Sequence, residues 1–355
     1  MSIILFVAGL VLLIIGAEFL VKGASHLAAV LGISPLVIGL TVVALGTSSP
    51  ELAVSIKSSL SGQGSIALGN VVGSNIFNIL FILGLSALIV PLFVSEQLVR
   101  LDIPLMIALS VMVFILSLDE KFSRTDGLML ISGLGIYLWF LINQSRKESK
   151  AKKAASINAV ETEKTKWAKN IGLVIGGLLL LVIGSRWFVN SAVSFAEYLK
   201  ISELIVGLTI VAAGTSLPEV VTSVIAGLRG ERDIAVGNVL GSNIFNIMGV
   251  LGVASIVSPT GIEVSPAIIR FDIPVMIAVA LSCLPIFFTG GVISRKEGLL
   301  FFGYYMAYTL YLILAASQHD ALPRFSAAML YFVIPLTAIT LIIISFREFH
   351  SRKKK

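Results

Sequence analysis

Two glutamates carry the strongest chemical signal in this chain. Glu51 and Glu219 are the carboxylates that fall near the middle of long apolar stretches, and no Lys or Arg lies at comparable depth. An ionisable group so placed costs about 2.5–3.5 kcal/mol, so two in equivalent positions call for a compensating charge, and a bound cation is the natural source. The residues around them point the same way. In Gly46-Thr47-Ser48-Ser49-Pro50-Glu51 and Gly214-Thr215-Ser216-Leu217-Pro218-Glu219, each proline removes a backbone donor and disfavours helix at the residue before it. A helix should break at each place. Carbonyls from Ala44 to Thr47 and from Ala212 to Thr215 then lose helical partners, which is tolerated inside a membrane where they line a cavity or hold an ion. The hydroxyls of Thr47, Ser48, Thr215 and Ser216 add further oxygens.

A second pattern supplies a facing wall. Gly69-Asn70-Val71-Val72-Gly73-Ser74-Asn75-Ile76-Phe77-Asn78-Ile79 recurs 168 residues later as Gly237-Asn238-Val239-Leu240-Gly241-Ser242-Asn243-Ile244-Phe245-Asn246-Ile247, ten identities in eleven. The glycines allow helices to approach closely. Ser74 and Asn78, like Ser242 and Asn246, stand four residues apart on one helical face. Asn75 and Asn243 lie one residue off that face and are read as hydrogen-bonding between helices. Two carboxylates, two amides, hydroxyls and carbonyls make an all-oxygen donor set suited to a hard cation such as Ca²⁺, which takes about 6–8 oxygens. With no His or Cys beside them, Zn²⁺ and Cu⁺ are poor fits. One Gly/Pro-broken helix would be read as a packing kink; two copies, each with a buried-depth Glu, are not.

The elements that must position these groups are membrane spans. Of 355 residues, 57% are hydrophobic and 13% charged, with a mean hydropathy of +0.99. Apolar stretches long enough to cross as helix are expected at 3–21, 36–60, 66–90, 102–118, 125–143, 170–190, 203–228, 233–257, 271–289, 297–316 and 325–346. That excludes a single water-facing core and a β-barrel. The N-terminal stretch lacks a leading basic cluster and is read as a retained first span. The expected fold is an all-α polytopic membrane protein. Each sequence copy holds five spans, and an odd number forces the second copy to enter from the opposite face. The two five-helix repeats, 1–143 and 170–316, are therefore inverted, forming a ten-helix core. Residues 144–169 read as a solvated cytoplasmic linker, and 317–355 as one extra transmembrane helix with a basic tail.

Charge orients the bundle. The net +6 is concentrated in residues 144–170, which net +5, and 347–355, which net +4, so the rest nets −3. The linker, the Arg295-Lys296 turn and the tail share one face if the N-terminus is outside, and basic loops mark the cytoplasm. The expected location is the cell membrane, with lipid as surroundings. Neither basic stretch carries a base-reading pattern, so nucleic acid is not a partner. Sequence signatures of a membrane enzyme, such as His-Glu-x-x-His or Gly-x-Ser-x-Gly, are missing. No cofactor and no protein partner is inferred. Glu18 and Lys22 are read as a local ion pair, Arg186 as reaching the opposite interface, Asp102 and Asp272 as interfacial anchors beside Arg100 and Arg270, and Cys283 as packing.

The doubled segments resemble the two repeat motifs of the calcium/cation antiporter superfamily, and the chain is similar to prokaryotic sodium/calcium exchangers over about residues 1–316. The resemblance implies Glu51 and Glu219 as shared ligands for Ca²⁺ or Na⁺, with carbonyls of Thr47 and Thr215 completing the calcium site. It implies sodium sites from Ala44, Thr47, Ser48 and Ser242 on one side and Ala212, Thr215, Ser216 and Ser74 on the other, with Asn78 and Asn246 in the middle. Some relatives carry Asp where this chain has Asn246, a position associated with potassium transport. Nothing carries over to the eleventh span. The expectation is Ca²⁺/Na⁺ antiport by alternating access, with Ca²⁺/H⁺ antiport on the same scaffold and a passive cation channel as the competing readings.

Overall fold

The computed structural model describes residues 2–155, 167–288 and 291–340. Eleven apolar helical segments follow one another among them. Nine are long single helices: Ile3–Leu31, Gly64–Ile89, Leu98–Leu116, Arg124–Lys147, Trp167–Tyr198, Arg232–Val257, Ile268–Phe287, Arg295–Ala316 and Leu322–Thr340. The second span is broken into Pro35–Thr47 and Ser49–Leu60, bent by 45°. The seventh, over 203–228, is broken at the equivalent place, before Leu217–Leu228.

Most spans lie where the apolar pattern puts them, but the first and sixth are far longer than expected. They extend to Leu31 and Tyr198 because nothing in either sequence stops the helix until Gly32 and Lys200, which take φ of +64° and +58°. At 1.5 Å per residue each is about 45 Å long, more than the ~30 Å hydrocarbon core, and so tilts or reaches past it into the headgroup region. They run antiparallel along a glycine seam. A Cβ at Gly16 would meet Gly177 O at 2.8 Å, and one at Gly184 would meet Gly9 O at 2.8 Å. In lipid, where apolar burial does not drive helices together, such backbone contact is what association requires.

The linker expectation needs correcting. Residues 144–155 continue the fifth helix, which runs Arg124–Ala155, since their Lys, Ala and Glu are strong helix formers. Residues 156–166 of the expected linker, the end of the eleventh span and the basic tail at 341–355 lie outside the described residues.

The inversion of the repeats is written in two short sheets. β1 (Leu92–Phe93) pairs antiparallel with β4 (Val292–Ile293), and β2 (Lys121–Phe122) with β3 (Ile262–Glu263). β1 and β3 are equivalent in the two repeats, as are β2 and β4. Each pairs with the other's equivalent, so equivalent loops sit at opposite ends of the bundle. The third and eighth spans form its most buried part, the broken spans pack against them, and the first and sixth lie outside. The eleventh helix stands apart, largely exposed, tied to the tenth by a 2.7 Å hydrogen bond from Tyr304 Oη to Thr337 Oγ1.

Candidate cation-binding site

The two breaks meet at the centre. Ser48 and Ser216 sit at the break residues with ψ of 8° and 7°, and each following half-helix begins Ser/Leu-Pro-Glu, so Glu51 and Glu219 fall in its first turn. Helix N-termini carry partial positive charge, which favours a carboxylate there. Both glutamates are buried.

The hydrogen bonds cross between repeats. Ser216 Oγ donates to Glu51 Oε1 at 2.7 Å, and Ser48 Oγ donates to Glu219 Oε1 at 2.9 Å. Asn78 Nδ2 donates to Asn243 Oδ1 at 2.9 Å, and Asn246 Nδ2 to Asn75 Oδ1 at 3.2 Å. Asn75 and Asn243 in turn donate to each other's backbone carbonyls, at 3.3 and 3.4 Å. The interhelical role read for Asn75 and Asn243 is what the structure displays. Their effect is to occupy the NH₂ side of Asn78 and Asn246, leaving each Oδ1 unbonded.

Six of the ten buried side-chain atoms without a hydrogen-bond partner among the described residues belong to residues singled out from the sequence: Glu51 Oε2, Glu219 Oε2, Asn78 Oδ1, Asn246 Oδ1, Thr215 Oγ1 and Ser242 Oγ. All are oxygens, and the carboxylate and amide oxygens can only accept. Leaving a buried polar atom unpaired costs about 1–3 kcal/mol, more for a charged group, so this concentration of acceptors fits a cation. Among the described residues no group of three or more His, Cys, Asp or Glu exists elsewhere that could hold a metal.

Not every sequence expectation survives in place. Ala44 O, expected free, accepts from Ser48 N at 3.0 Å and from Thr47 Oγ1 at 3.3 Å, because the break comes one residue later than the carbonyl needs. Thr47 Oγ1 shares its one proton between that carbonyl and Asn238 Oδ1, the nearer acceptor at 3.0 Å. Ala212 is exposed while its equivalent Ala44 is buried, so the structure does not bring it into the centre as it does Ala44. Ser74 is buried on the same face as Asn78, as expected.

This difference belongs to a larger asymmetry. The first half of the second span packs tightly on the eighth: a Cβ at Gly39 would meet Ile234 O at 3.0 Å, and one at Gly241 would meet Leu40 O at 2.6 Å. A Cβ at the equivalent glycines of the other repeat, Gly207, Gly69 and Gly73, would meet nothing within 4 Å among the described residues. One side of the site is closed and its mirror side is open.

Sequence reasoning missed several polar contacts. Asn238 Nδ2 reaches Ser223 Oγ at 2.9 Å and Glu219 O at 3.4 Å, and Asn70 Nδ2 repeats this with Ser55 Oγ at 3.0 Å and Glu51 O at 3.2 Å. Their recurrence at the repeat offset was the available signal. Asp102, expected as an interfacial anchor, is fully buried and accepts from Tyr137 Oη at 2.8 Å; Asp272 accepts from Tyr308 Oη at 3.1 Å. Glu18 pairs not with Lys22 but with Arg229, at 2.6 Å, since the first helix passes the end of the seventh span.

The comparisons with known proteins meet the geometry here. The family described as sodium/calcium exchanger protein matches residues 1–143 and 169–314. The chain belongs to the sodium/calcium exchanger family. Among curated members, it is 34% identical over 345 residues to sodium/calcium exchanger MaX1 of Methanosarcina acetivorans, covering 88% of this chain and 98% of that one. It is 38% identical over 283 residues to inner membrane protein YrbG of Escherichia coli, covering 78% and 86%. A solved structure of the sodium-calcium exchanger NCX_Mj superposes with a TM-score of 0.74 at 31% identity, covering 90% of this chain and 99% of that chain. Within this exchanger, the family match stops at 314, leaving the eleventh span outside it.

Proposed function

We propose that this exchanger moves Ca²⁺ one way and Na⁺ the other through the site around Glu51 and Glu219, with the sodium gradient driving calcium outward. The observation that carries the reading is the set of unpartnered buried oxygens on and around two carboxylates that have no ion-pair partner among the described residues. About two negative charges can be neutralised by one Ca²⁺ or by more than one Na⁺, so the ions compete for overlapping oxygens. Ala44, Thr47, Ser48 and Ser242 on one side and Ala212, Thr215, Ser216 and Ser74 on the other are the proposed sodium positions. If the closed and open sides exchange only when those charges are compensated, the empty site cannot return, and flux of one ion is tied to flux of the other. The first and sixth helices, joined along their glycine seam, are the candidate moving element.

The division into repeats at 1–143 and 170–316, joined by 144–169 and followed by 317–355, is kept with this reading, the connector being partly helical. The basic stretches support a cell-membrane orientation with the N-terminus outside and the connector and C-terminus in the cytoplasm. The retained hydroxyls at both flanks favour sodium over the Ca²⁺/H⁺ alternative, in which Glu51 and Glu219 would return protonated. Calcium uptake into proteoliposomes under an imposed sodium gradient, with and without a protonophore, separates the two. The expected result is uptake that follows sodium and ignores the protonophore; uptake driven by pH and indifferent to sodium overturns it. Glu51→Gln and Glu219→Gln should each abolish exchange while leaving the protein inserted, and normal exchange in either removes the site.

A further inference from the structure

Between the ninth, tenth and eleventh helices lies a cavity of about 800 Å³ whose lining includes none of the residues singled out for the cation site. Its walls run along the ninth span from Phe271 to Ile286 and along the eleventh from Phe325 to Ala338. At 1.5 Å per residue both stretches are about 20 Å long, two thirds of the hydrocarbon thickness. The cavity is a long apolar slot parallel to the helices. A void of this size cannot stay empty in a packed structure, and a site with so few polar groups does not hold water. Its surroundings are lipid tails.

One end of the slot differs from the other. Phe271 and Phe325 line the end nearest β3, and each is preceded by an arginine, Arg270 and Arg324. Both arginines are exposed, and among the described residues neither is in an ion pair. The same end holds the Tyr308–Asp272 hydrogen bond. A slot about 20 Å long, with two unpaired arginines next in sequence to the phenylalanines at one end of its lining, is complementary to an amphiphile with apolar chains and an anionic head. Arginine is suited to phosphate through its fork of donors.

We propose that this slot binds an anionic phospholipid, its acyl chains lying between the ninth, tenth and eleventh helices and its phosphate held by Arg270 and Arg324. The lipid fills the gap that separates the eleventh helix from the bundle. This explains how a helix bonded to its neighbour mainly through Tyr304 and Thr337 keeps its place, in the leaflet away from the connector.

The test is native mass spectrometry of the full chain, delipidated in detergent and then given phosphatidylglycerol or phosphatidylcholine with identical chains. The wild type should retain one phosphatidylglycerol per chain at energies that strip surface lipid. Arg270→Gln with Arg324→Gln should lower phosphatidylglycerol retention about tenfold, to the level of phosphatidylcholine, by removing two cationic contacts to the head. Ala307→Trp, which fills the slot, should abolish retention of both; Ala338→Phe serves the same purpose if that protein does not fold, and calcium exchange in each variant reports folding. Retention undiminished by the filled slot overturns the proposal, as does a lack of preference for the anionic lipid. A lipid-independent dimer broken by Ala307→Trp would assign the slot to a second copy and also overturn it.

Discussion

At the scale of single residues, the site depends on amides as much as on carboxylates. Asn78 and Asn246 could present either face to a cation, and only the oxygen helps. The side-chain oxygens of Asn243 and Asn75 take up the NH₂ groups and so fix which face remains. Asn75 and Asn243 are positioning residues. Asn243→Leu leaves a buried Asn78 NH₂ unpaired at a cost of about 1–3 kcal/mol, relieved if the amide turns its NH₂ toward the site. The expected outcome is an apparent calcium affinity in proteoliposomes weaker by about tenfold, with maximal exchange changed much less. A loss of thermal stability with unchanged calcium dependence would reduce Asn243 to a packing role. The Glu18–Arg229 pair contrasts with this. It is exposed and well hydrated, and such pairs contribute about 0–1 kcal/mol, so its geometry says where the first helix lies more than what holds it.

At the scale of elements, the two repeats provide one seam twice and use it in two ways. Gly39, Gly237 and Gly241 hold the closed side in backbone contact, while Gly207, Gly69 and Gly73 stand apart. The same sequence that packs one side can pack the other, and closing the open side requires its glycines to meet. Gly73→Val is therefore tolerated in the present conformation and blocks the mirrored one. The protein should insert and fold with near-normal thermal stability yet lose calcium exchange. Gly241→Val does the opposite: its side chain would collide with Leu40 and Ala44, so it should populate the state open on the other side. Accessibility of single cysteines near Gly39 and Gly207, read by labelling from each face, distinguishes the two variants; equal labelling patterns would refute the exchange of seams. The segments Gly39–Val43 and Gly207–Val211 ahead of the breaks, and Asn78–Leu83 and Asn246–Leu251 starting at the site amides, are wound as π-helix in both repeats. Such turns carry loosened backbone bonding and are common at functional sites.

At the scale of the whole molecule, the ten-helix core and the eleventh span separate cleanly. The core contains the crossed hydrogen bonds, both seams and all the family match, whereas the eleventh helix lies beyond that match. A chain ending at residue 316 should retain calcium exchange within about threefold when reconstituted, with its loss confined to thermal stability in detergent. Exchange abolished in a well-folded truncated protein would assign the eleventh span a part in transport.

The sequence by itself determined the membrane class, the inverted duplication, the two helix breaks and the pair of glutamates, because each is a local pattern. Apolar length, proline position and a repeat of 168 residues need no partner to be read. Only the tertiary structure decided which oxygen faces which. Ser216 meeting Glu51 and Ser48 meeting Glu219 join groups more than 160 residues apart, and nothing in the spacing names those partners. The same holds for Asp102 with Tyr137 and for the slot beside the eleventh helix. The open side is the sharpest case. Repeats that share their glycine and asparagine motif almost residue for residue encode two equivalent packings, and the choice of which is closed belongs to the folded chain as a whole.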